Sequence, residues 1–436
     1  MRVYRWRWVM LLIIFLTNLA NGSLWVTFAP IDKATAYYYD ISPQVVNLLS
    51  IVFMVAYVPL GFVSQWFLDH KSFRFGVILG AWLTTIGAWL RYLSSKFFNH
   101  TGAGALSLLF AGQTLAAFAQ PFLLNAPPKM ATMWFSVEGR ATADMVGTIG
   151  NILGVGVAQA ISPILANIQV KNTTNGPVDD PQSMDFMLMI FAIICSVACV
   201  ITTIGTREKP PSPPSHSAYQ KATPFLEGIK QMYSNVPYLI VLGTFAVGLG
   251  VFNTMTTVLE EVVSPIGIDE DHAGYLGAII VGVGLVTSGI TAPILDKYHK
   301  YKELYVFAFF IAVASFVWFS LVMYFIPMPS FLLLSFPCAT LGIAAFVILP
   351  TALELCIEIT YPIAPATSVG FLWMMGQVVG IASSFACTAL QSKEAPYSMQ
   401  NSLWFMIAIV SLGCLASLLL LWPYRPTYFR LQSEHS

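Results

Sequence analysis

Charge is scarce in this 436-residue chain, and the scarcity excludes a soluble globular fold. Only 10% of the residues are charged, whereas 57% are hydrophobic and the mean hydropathy is +0.71. A soluble domain has about 25% charged residues. We therefore expect the lipid bilayer as the surroundings of the protein, and we expect no nucleic-acid partner.

Histidine, lysine and arginine are missing from the centres of the apolar runs, and no pair of carboxylates faces the predicted midplane. All six histidines fall in predicted loops or tails. Charges inside a membrane usually mark ion or proton paths. Their absence argues against an anionic solute held by arginine, a metal site and a proton relay. We expect no cofactor, no metal and no enzymatic constellation, and any movement of solute by this chain is expected to be uncoupled from an ion.

Cysteine is missing from the predicted outer loops. All six cysteines lie in predicted membrane helices, which argues against an external disulfide framework. We interpret them as small core residues.

Apolar runs fill the chain. Twelve of them, from 8–30 to 401–422, have the length of about 20 residues that is needed to cross a bilayer. They must be helices, because lipid leaves no partner for unpaired backbone groups. Most basic residues flank the runs on the side of the termini, which predicts cytoplasmic termini. We expect the plasma membrane, with an endolysosomal membrane as the open alternative.

The two halves of the chain repeat each other. Gly150-x-x-x-Gly154 recurs as Gly376-x-x-x-Gly380, and Asp69 recurs as Asp296, at offsets of 226 and 227 residues. A membrane chain that repeats at half its length is typical of a transporter built from two bundles around a central site.

A proline-rich break separates the repeats. Four prolines stand within five positions at 210–214, which favours extended backbone. We predict an N-terminal six-helix bundle over 1–205, a cytoplasmic linker over 206–235 and a C-terminal six-helix bundle over 236–436. A linker of this kind is a spacer, and whether it also binds a partner module stays open. Two sequons in predicted outer loops, at Asn99 and Asn172, are candidate glycosylation sites.

Amide and aromatic side chains are the functional groups that remain inside the predicted helices. A buried amide either joins two helices or binds solute in a wet cavity, and both interpretations stay open for Gln120 and Gln377. An indole can hold a quaternary ammonium group by cation–π attraction. The candidate binding residues are Trp25, Gln120, Gln377, Asn253, Phe252, Trp373, Asn21, Tyr57 and Asn151.

Charged residues near the ends of the runs are candidate gating groups. For Glu354 and Glu358, an ion pair near water is the simpler interpretation and a role in solute binding is the alternative. The full candidate set is Asp69, Arg74, Asp296, Lys297, Glu354 and Glu358.

The sequences around Asp69 and Asp296 resemble the loop motif of the major facilitator superfamily, although His70 and Lys71 stand where that pattern often has Arg and Gly. Four stretches also resemble the feline leukaemia virus subgroup C receptor-related branch, solute carrier family 49. They are 21–25, 119–135, 353–362 and 376–380. The resemblance extends over essentially the whole chain, and the short termini are most similar to a less-studied branch of that family.

The resemblance implies an all-α integral membrane protein with the major facilitator fold, that is, twelve transmembrane helices in two six-helix bundles. It implies facilitative transport of choline or ethanolamine by rocker-switch alternating access. In choline-carrying relatives an aromatic cage meets two glutamines, which Trp25, Gln120 and Gln377 match. Asn253 stands where those relatives have Tyr, so a related small polar solute is also open. We expect a monomer.

Two other functions stay open at this point. The resemblance also implies haem transport as an alternative, but haem iron usually takes His, Cys, Met or Tyr, and the spans contain no histidine. The second alternative is a non-transporting membrane receptor or partner-binding protein, against which the short outer loops argue.

Overall fold

The computed structural model describes residues 3–96, 102–166, 181–214, 223–263, 266–268, 270–326, 329–391 and 399–435. The candidate glycosylation sites Asn99 and Asn172 lie outside these residues. Within them, all regular structure is helical.

Helices follow one another along the whole described part of the chain. Those up to residue 205 are α1 (Trp6–Trp25), α2 (Asp32–Tyr39), α3 (Pro43–His70), α4 (Phe73–Lys96), α5 (Ala103–Leu124), α6 (Ala126–Trp134), α7 (Arg140–Ala166) and α8 (Pro181–Gly205). The others are α9 (Phe225–Ser234), α10 (Val236–Val263), α11 (Glu270–Tyr298), α12 (Tyr301–Phe325), α13 (Phe331–Thr360), α14 (Pro365–Ala389), α15 (Gln400–Leu418) and α16 (Phe429–His435).

Twelve helical stretches in the described ranges are long and apolar enough to cross a membrane, which confirms the predicted number of spans. Helices α1 to α8 supply six of them, with α5 and α6 forming one, and α10 to α15 supply the other six. Because the number is even, both termini lie at the same end of the helices. We call this end the terminal side and the opposite end the far side.

The helices pack mainly within each half of the chain. In the first half, α1 packs against α7, and α4 packs against α5 and α8; in the second, α10 packs against α14, and α13 against α11 and α12. The halves meet where α3 contacts α14 and where α7 contacts α11. These two contacts border the space in which a central site would lie.

Glycines allow α7 to approach α1 very closely. A Cβ atom added at Gly154 would fall well inside van der Waals contact of the Leu19 carbonyl oxygen, and one at Gly150 would meet the Phe15 carbonyl in the same way. Only glycine leaves room for such backbone contact. The repeated glycine motif of the sequence therefore fixes a helix pair in the first half.

The substitution Gly154→Ala is expected to destabilise the protein by about 1–3 kcal/mol, because the added methyl group forces α1 and α7 apart. The matched control is Gly282→Ala in α11, where no described heavy atom lies within 4 Å of the new Cβ. Thermal unfolding of both purified variants in detergent checks this, and equal melting temperatures would contradict it.

The first span is interrupted on its far side. Helix α1 ends at Trp25, and a turn and the short 3₁₀ helix Ala29–Ile31 precede α2. After Trp25 the backbone leaves the α-helical path, so carbonyls in the last turn of α1 lose their backbone partners four residues on. The Thr27 hydroxyl compensates for one of them by donating to the Ser23 carbonyl at 2.6 Å.

Candidate functional site

A cavity of about 370 Å³ lies between the two halves and is lined by both. Its volume is within the range of about 300–1,000 Å³ that is usual for small-molecule sites. Helices α1, α3, α5 and α7 line it from the first half, and α10, α11, α13 and α14 from the second. Asp32, which begins α2, and Glu261, near the end of α10, are among the lining residues, so the cavity extends toward the far side.

The cavity wall is aromatic, amide-rich and acidic. Asp32 and Glu261 are its charged residues, and no described lysine, arginine or histidine lines it. A concave surface with charges of only one sign concentrates solutes of the opposite sign. The wall therefore favours a cationic or neutral polar solute over an anion.

Most of the predicted binding residues line the cavity, namely Trp25, Asn151, Phe252, Asn253, Trp373 and Gln377. Three buried polar atoms among them, Nδ2 of Asn253, Nε1 of Trp373 and Oε1 of Gln377, find no hydrogen-bond partner within the described residues. Buried polar atoms are nearly always hydrogen-bonded. A solute or water in the cavity would supply the partner that these atoms need.

The Trp25 indole is held in place from two sides. Its Nε1 atom donates to the Ser50 carbonyl at 3.1 Å, and its ring stacks on Phe53 with 6.2 Å between centroids and 17° between planes. The ring is only partly buried. A fixed aromatic face beside a cavity is what cation–π binding of an ammonium group requires.

Asn21 and Tyr57 are not among the cavity-lining residues. Asn21 Nδ2 donates to the Thr84 hydroxyl at 3.0 Å and to the Ala116 carbonyl at 2.9 Å. The Tyr57 hydroxyl donates to Oδ1 of Asn125, at the break between α5 and α6, at 3.0 Å. In this conformation both side chains join helices, which is the first of the two roles open to buried polar groups.

Gln120 lies in α5 and is also absent from the cavity wall. It is fully buried, and neither its Nε2 nor its Oε1 atom has a partner among the described residues. Unlike Asn21 and Tyr57, it is therefore not committed to a contact between helices. A role for Gln120 in solute binding stays a prediction.

Asp69 joins the two halves on the terminal side. Its carboxylate accepts hydrogen bonds from the backbone N–H and the hydroxyl of Thr367, both at 2.8 Å, and Lys129 lies 3.1 Å away. Thr367 is in the first turn of α14, where the helix dipole and free N–H groups attract an anion.

Asp296 makes the corresponding contact in the opposite direction. Its carboxylate accepts from the backbone N–H groups of Ala141 at 3.0 Å and Thr142 at 2.9 Å, and from the Thr142 hydroxyl. These residues begin α7. Each half of the chain thus provides an aspartate that caps a helix of the other half, and we call these two contacts the aspartate latches.

Arg74 and Lys297 take no part in the aspartate latches. The backbone N–H of Arg74 donates to Oε2 of Glu208 at 2.9 Å, and the Lys297 ammonium lies 5.3 Å from the centroid of the Tyr298 ring. Glu208 also accepts from the backbone N–H of Phe73 at 2.9 Å. It thereby caps α4, a role that the sequence analysis missed.

Glu354 and Glu358 form a buried ion-pair cluster with Arg430 of α16. Arg430 Nε lies 2.6 Å from Oε1 of Glu358, and Nη2 lies 2.5 Å from Oε2 of Glu354. Burial lowers the pKa of Arg430, but the two carboxylates outweigh it and raise that pKa above its ordinary value. Asp144 of α7 is near enough to interact electrostatically with Glu354 and Arg430.

Arg430 is the second functional residue that the sequence analysis missed. The available signal was the pair of glutamates four residues apart in an apolar run, because two buried carboxylates require a buried cation as their partner. The tail carries both Arg425 and Arg430, and nothing in the sequence says which of them is buried.

The described residues contain no group of three or more His, Cys, Asp or Glu side chains placed to hold a metal ion. In the described cavity wall, Met54 is the one side chain of a type that commonly binds haem iron.

Comparison with known proteins adds the family context. Residues 10–384 match the sequence profile of the Major Facilitator Superfamily. Solute carrier family 49 member A3 of Xenopus tropicalis is 33% identical over 384 residues, covering 87% of this chain and 77% of that protein. Choline/ethanolamine transporter FLVCR1 of Felis catus is 28% identical over 413 residues, covering 93% and 71%.

Solved structures show the same fold. The crystal structure of FucP, a Major Facilitator Superfamily transporter, in the outward conformation matches with a TM-score of 0.71. The match covers 95% of this chain and 98% of that one at 13% sequence identity. At this identity, the likeness concerns the arrangement of the helices alone.

Proposed function

Since the chain belongs to the Major Facilitator Superfamily and, within it, to solute carrier family 49, we propose that it carries a small polar or cationic solute, of the choline or ethanolamine kind, by rocker-switch alternating access. The chain is a multi-pass membrane transporter and not an enzyme. The observation that carries the proposal is the cavity wall, which combines aromatic, amide and acidic groups with no described basic residue.

In this proposal the ammonium group of the solute lies against Trp25. Cation–π attraction to an indole is worth about 0.5–2 kcal/mol, and the stacking on Phe53 and the bond to Ser50 keep the ring in place. Asp32 and Glu261 attract the cation toward the cavity from the far side.

The polar end of the solute meets the second half of the chain. Nδ2 of Asn253 and Nε1 of Trp373 are donors without a described partner, and Oε1 of Gln377 is an acceptor without one. A solute hydroxyl both accepts and donates, so it can satisfy a donor and an acceptor together. Asn253 replaces aromatic area by an amide, which favours solutes that carry a hydrogen-bonding group beside the ammonium.

The aspartate latches close the terminal side in the conformation described here. Rocking of the halves would break both latches, open the terminal side and close the far side. Gln120, buried without a described partner, would then be available to the solute in another state of the cycle.

Sidedness follows from the distribution of basic residues. Most of them flank the spans on the terminal side, so we assign that side to the cytoplasm. The plasma membrane is the proposed location, with an endolysosomal membrane as the alternative. One chain supplies both walls of the cavity, so a monomer is sufficient for transport.

Replacement of Gln377 by alanine is expected to reduce uptake of labelled choline or ethanolamine about two- to tenfold. The lost hydrogen bond to a solute polar group would contribute about 0.5–1.5 kcal/mol, and more beside a charge. The measurement is initial uptake at matched surface expression, in cells that lack their own choline carriers.

The matched control is Gln391→Ala, which removes the same side chain at an exposed position after α14. Uptake by the control should equal that of the wild type. Equal uptake by the Gln377 variant would contradict the placement of the solute in the cavity. A surface-expressed wild type that takes up neither compound would contradict the proposed solute class.

A further inference from the structure

Arg91 is a buried cation that the transport proposal leaves unused. It lies inside α4 and is only 1% exposed. Its Nε and Nη2 atoms have no hydrogen-bond partner, and it forms no ion pair with a carboxylate in the described ranges. A charge in a membrane span is costly and usually functional.

The guanidinium group of Arg91 contacts both sides of the interruption in the first span. Nη1 donates to the carbonyl of Leu24, before the interruption, at 3.2 Å. Cζ lies 4.7 Å from the ring centroid of Phe28, which follows it. Because a guanidinium group is planar and carries several donors, it can bond a carbonyl and stack on a ring at once.

Gln113 of α5 also bonds the backbone next to the interruption of the first span. Its Nε2 atom donates to the Leu49 carbonyl of α3 at 2.9 Å and approaches the Leu24 carbonyl at 3.3 Å. Gly112 makes space for the arginine, since a Cβ added there would lie 3.0 Å from Cγ of Arg91. Helices α3, α4 and α5 thus converge on the free carbonyl end of α1.

The segment held in this way forms part of the cavity wall. Trp25 and Val26 before the 3₁₀ helix, Ala29 within it and Asp32 after it all line the cavity. Their positions depend on how the interruption is fixed, because a helix end without backbone partners is held only by side chains or water.

We propose that Arg91 is a positioning residue for the solute site: with Gln113, it fixes the interruption after α1 and so holds Trp25 and Ala29 against the cavity. The proposal rests on the proposed function in taking this cavity as the solute site. The arginine itself does not touch the solute.

The test uses the reactivity of a thiol placed inside the interruption, and it requires no solute. Thr27 is fully buried, so Thr27→Cys should react slowly with a water-soluble maleimide in the purified full-length protein. Adding Arg91→Gln should raise the labelling rate at least fivefold, because the segment is no longer held. The six native cysteines are all buried, and the wild type gives the background.

Further variants separate positioning from general damage. Arg91→Lys keeps the charge but cannot stack on Phe28, so an intermediate rate is expected. Lys96→Gln, at the exposed end of the same helix, should leave the rate unchanged. If Arg91→Gln does not fold, Gln113→Met in the Thr27→Cys background should raise labelling at least twofold.

Transport kinetics give a second, independent readout. Arg91→Gln should raise KM for the transported solute at least fivefold with a smaller change in maximal rate, since it displaces a binding surface. Labelling that stays at the Thr27→Cys rate in folded Arg91→Gln and Gln113→Met would overturn the proposal. Raised labelling in a protein that transports neither choline nor ethanolamine would support the positioning role and contradict only the proposed solute.

Discussion

Replacement of Arg430 by methionine should destabilise the protein by about 3–5 kcal/mol, the effect expected when one partner of a buried ion pair is removed. Arg430 is 5% exposed, and Glu354 and Glu358 are 2% and 0% exposed. Methionine fills much of the same volume but leaves both carboxylates without their cation. The loss should appear as a large fall in the melting temperature of the purified protein.

Two further variants make this prediction specific. Arg425→Met removes an exposed arginine of the same tail, whose Nε donates only to the Leu421 carbonyl at 3.0 Å, and it should melt as the wild type does. Adding Glu354→Gln and Glu358→Gln to Arg430→Met should recover more than half of the loss, because the buried negative charges are gone. A triple variant no more stable than Arg430→Met would mean that the arginine acts by packing and not by charge.

Replacement of both Asp69 and Asp296 by asparagine should open the terminal side. Each carboxylate accepts charge-assisted hydrogen bonds at a helix N-terminus, and loss of the two charges should cost about 2–4 kcal/mol. Met145, which is 2% exposed and belongs to the hydrophobic core cluster containing residues of both halves, reports the opening. Labelling of Met145→Cys should rise roughly thirtyfold or more in the double variant.

The single variants test whether the aspartate latches act together. Asp69→Asn and Asp296→Asn should each give a smaller increase, because the remaining latch still holds the halves. Asp40→Asn, at an exposed position after α2, is the control and should leave labelling unchanged. If the double variant labels at the rate of the control, the aspartates do not hold the terminal side closed.

The spans could be predicted from the sequence because bilayer crossing imposes a length and an apolarity that single segments must satisfy. The two latch aspartates could also be found, since each ends an apolar run and the repeat relates them. Their partners at Thr367 and Thr142 could not, because which helix end meets which carboxylate depends on how the halves pack.

For the binding residues too, the sequence predicts which side chains lie inside helices but not which of them line the cavity. Gln120 and Gln377 are both predicted as buried amides inside membrane helices of equivalent halves. Only Gln377 lines the cavity in this conformation. Periodicity says that a residue is in a helix, but the tilt and the breaks of that helix decide which space it faces. The first apolar run was predicted as one helix over 8–30, and the break after Trp25 was not predicted. That break gives Arg91 its partners.

Closure of one face alone makes the two directions of exchange kinetically unequal. At zero membrane potential, a carrier with no coupled ion leaves equal solute concentrations on both sides, so the ratio of maximal rate to KM is then the same for influx and efflux. Contacts that stabilise the conformation closed on the terminal side slow the return of the empty carrier to that side. They therefore lower both the maximal rate and KM for transport that starts from the terminal side. The aspartate latches would therefore give the protein a high-affinity, slow side and a low-affinity, fast side without any gain in accumulation.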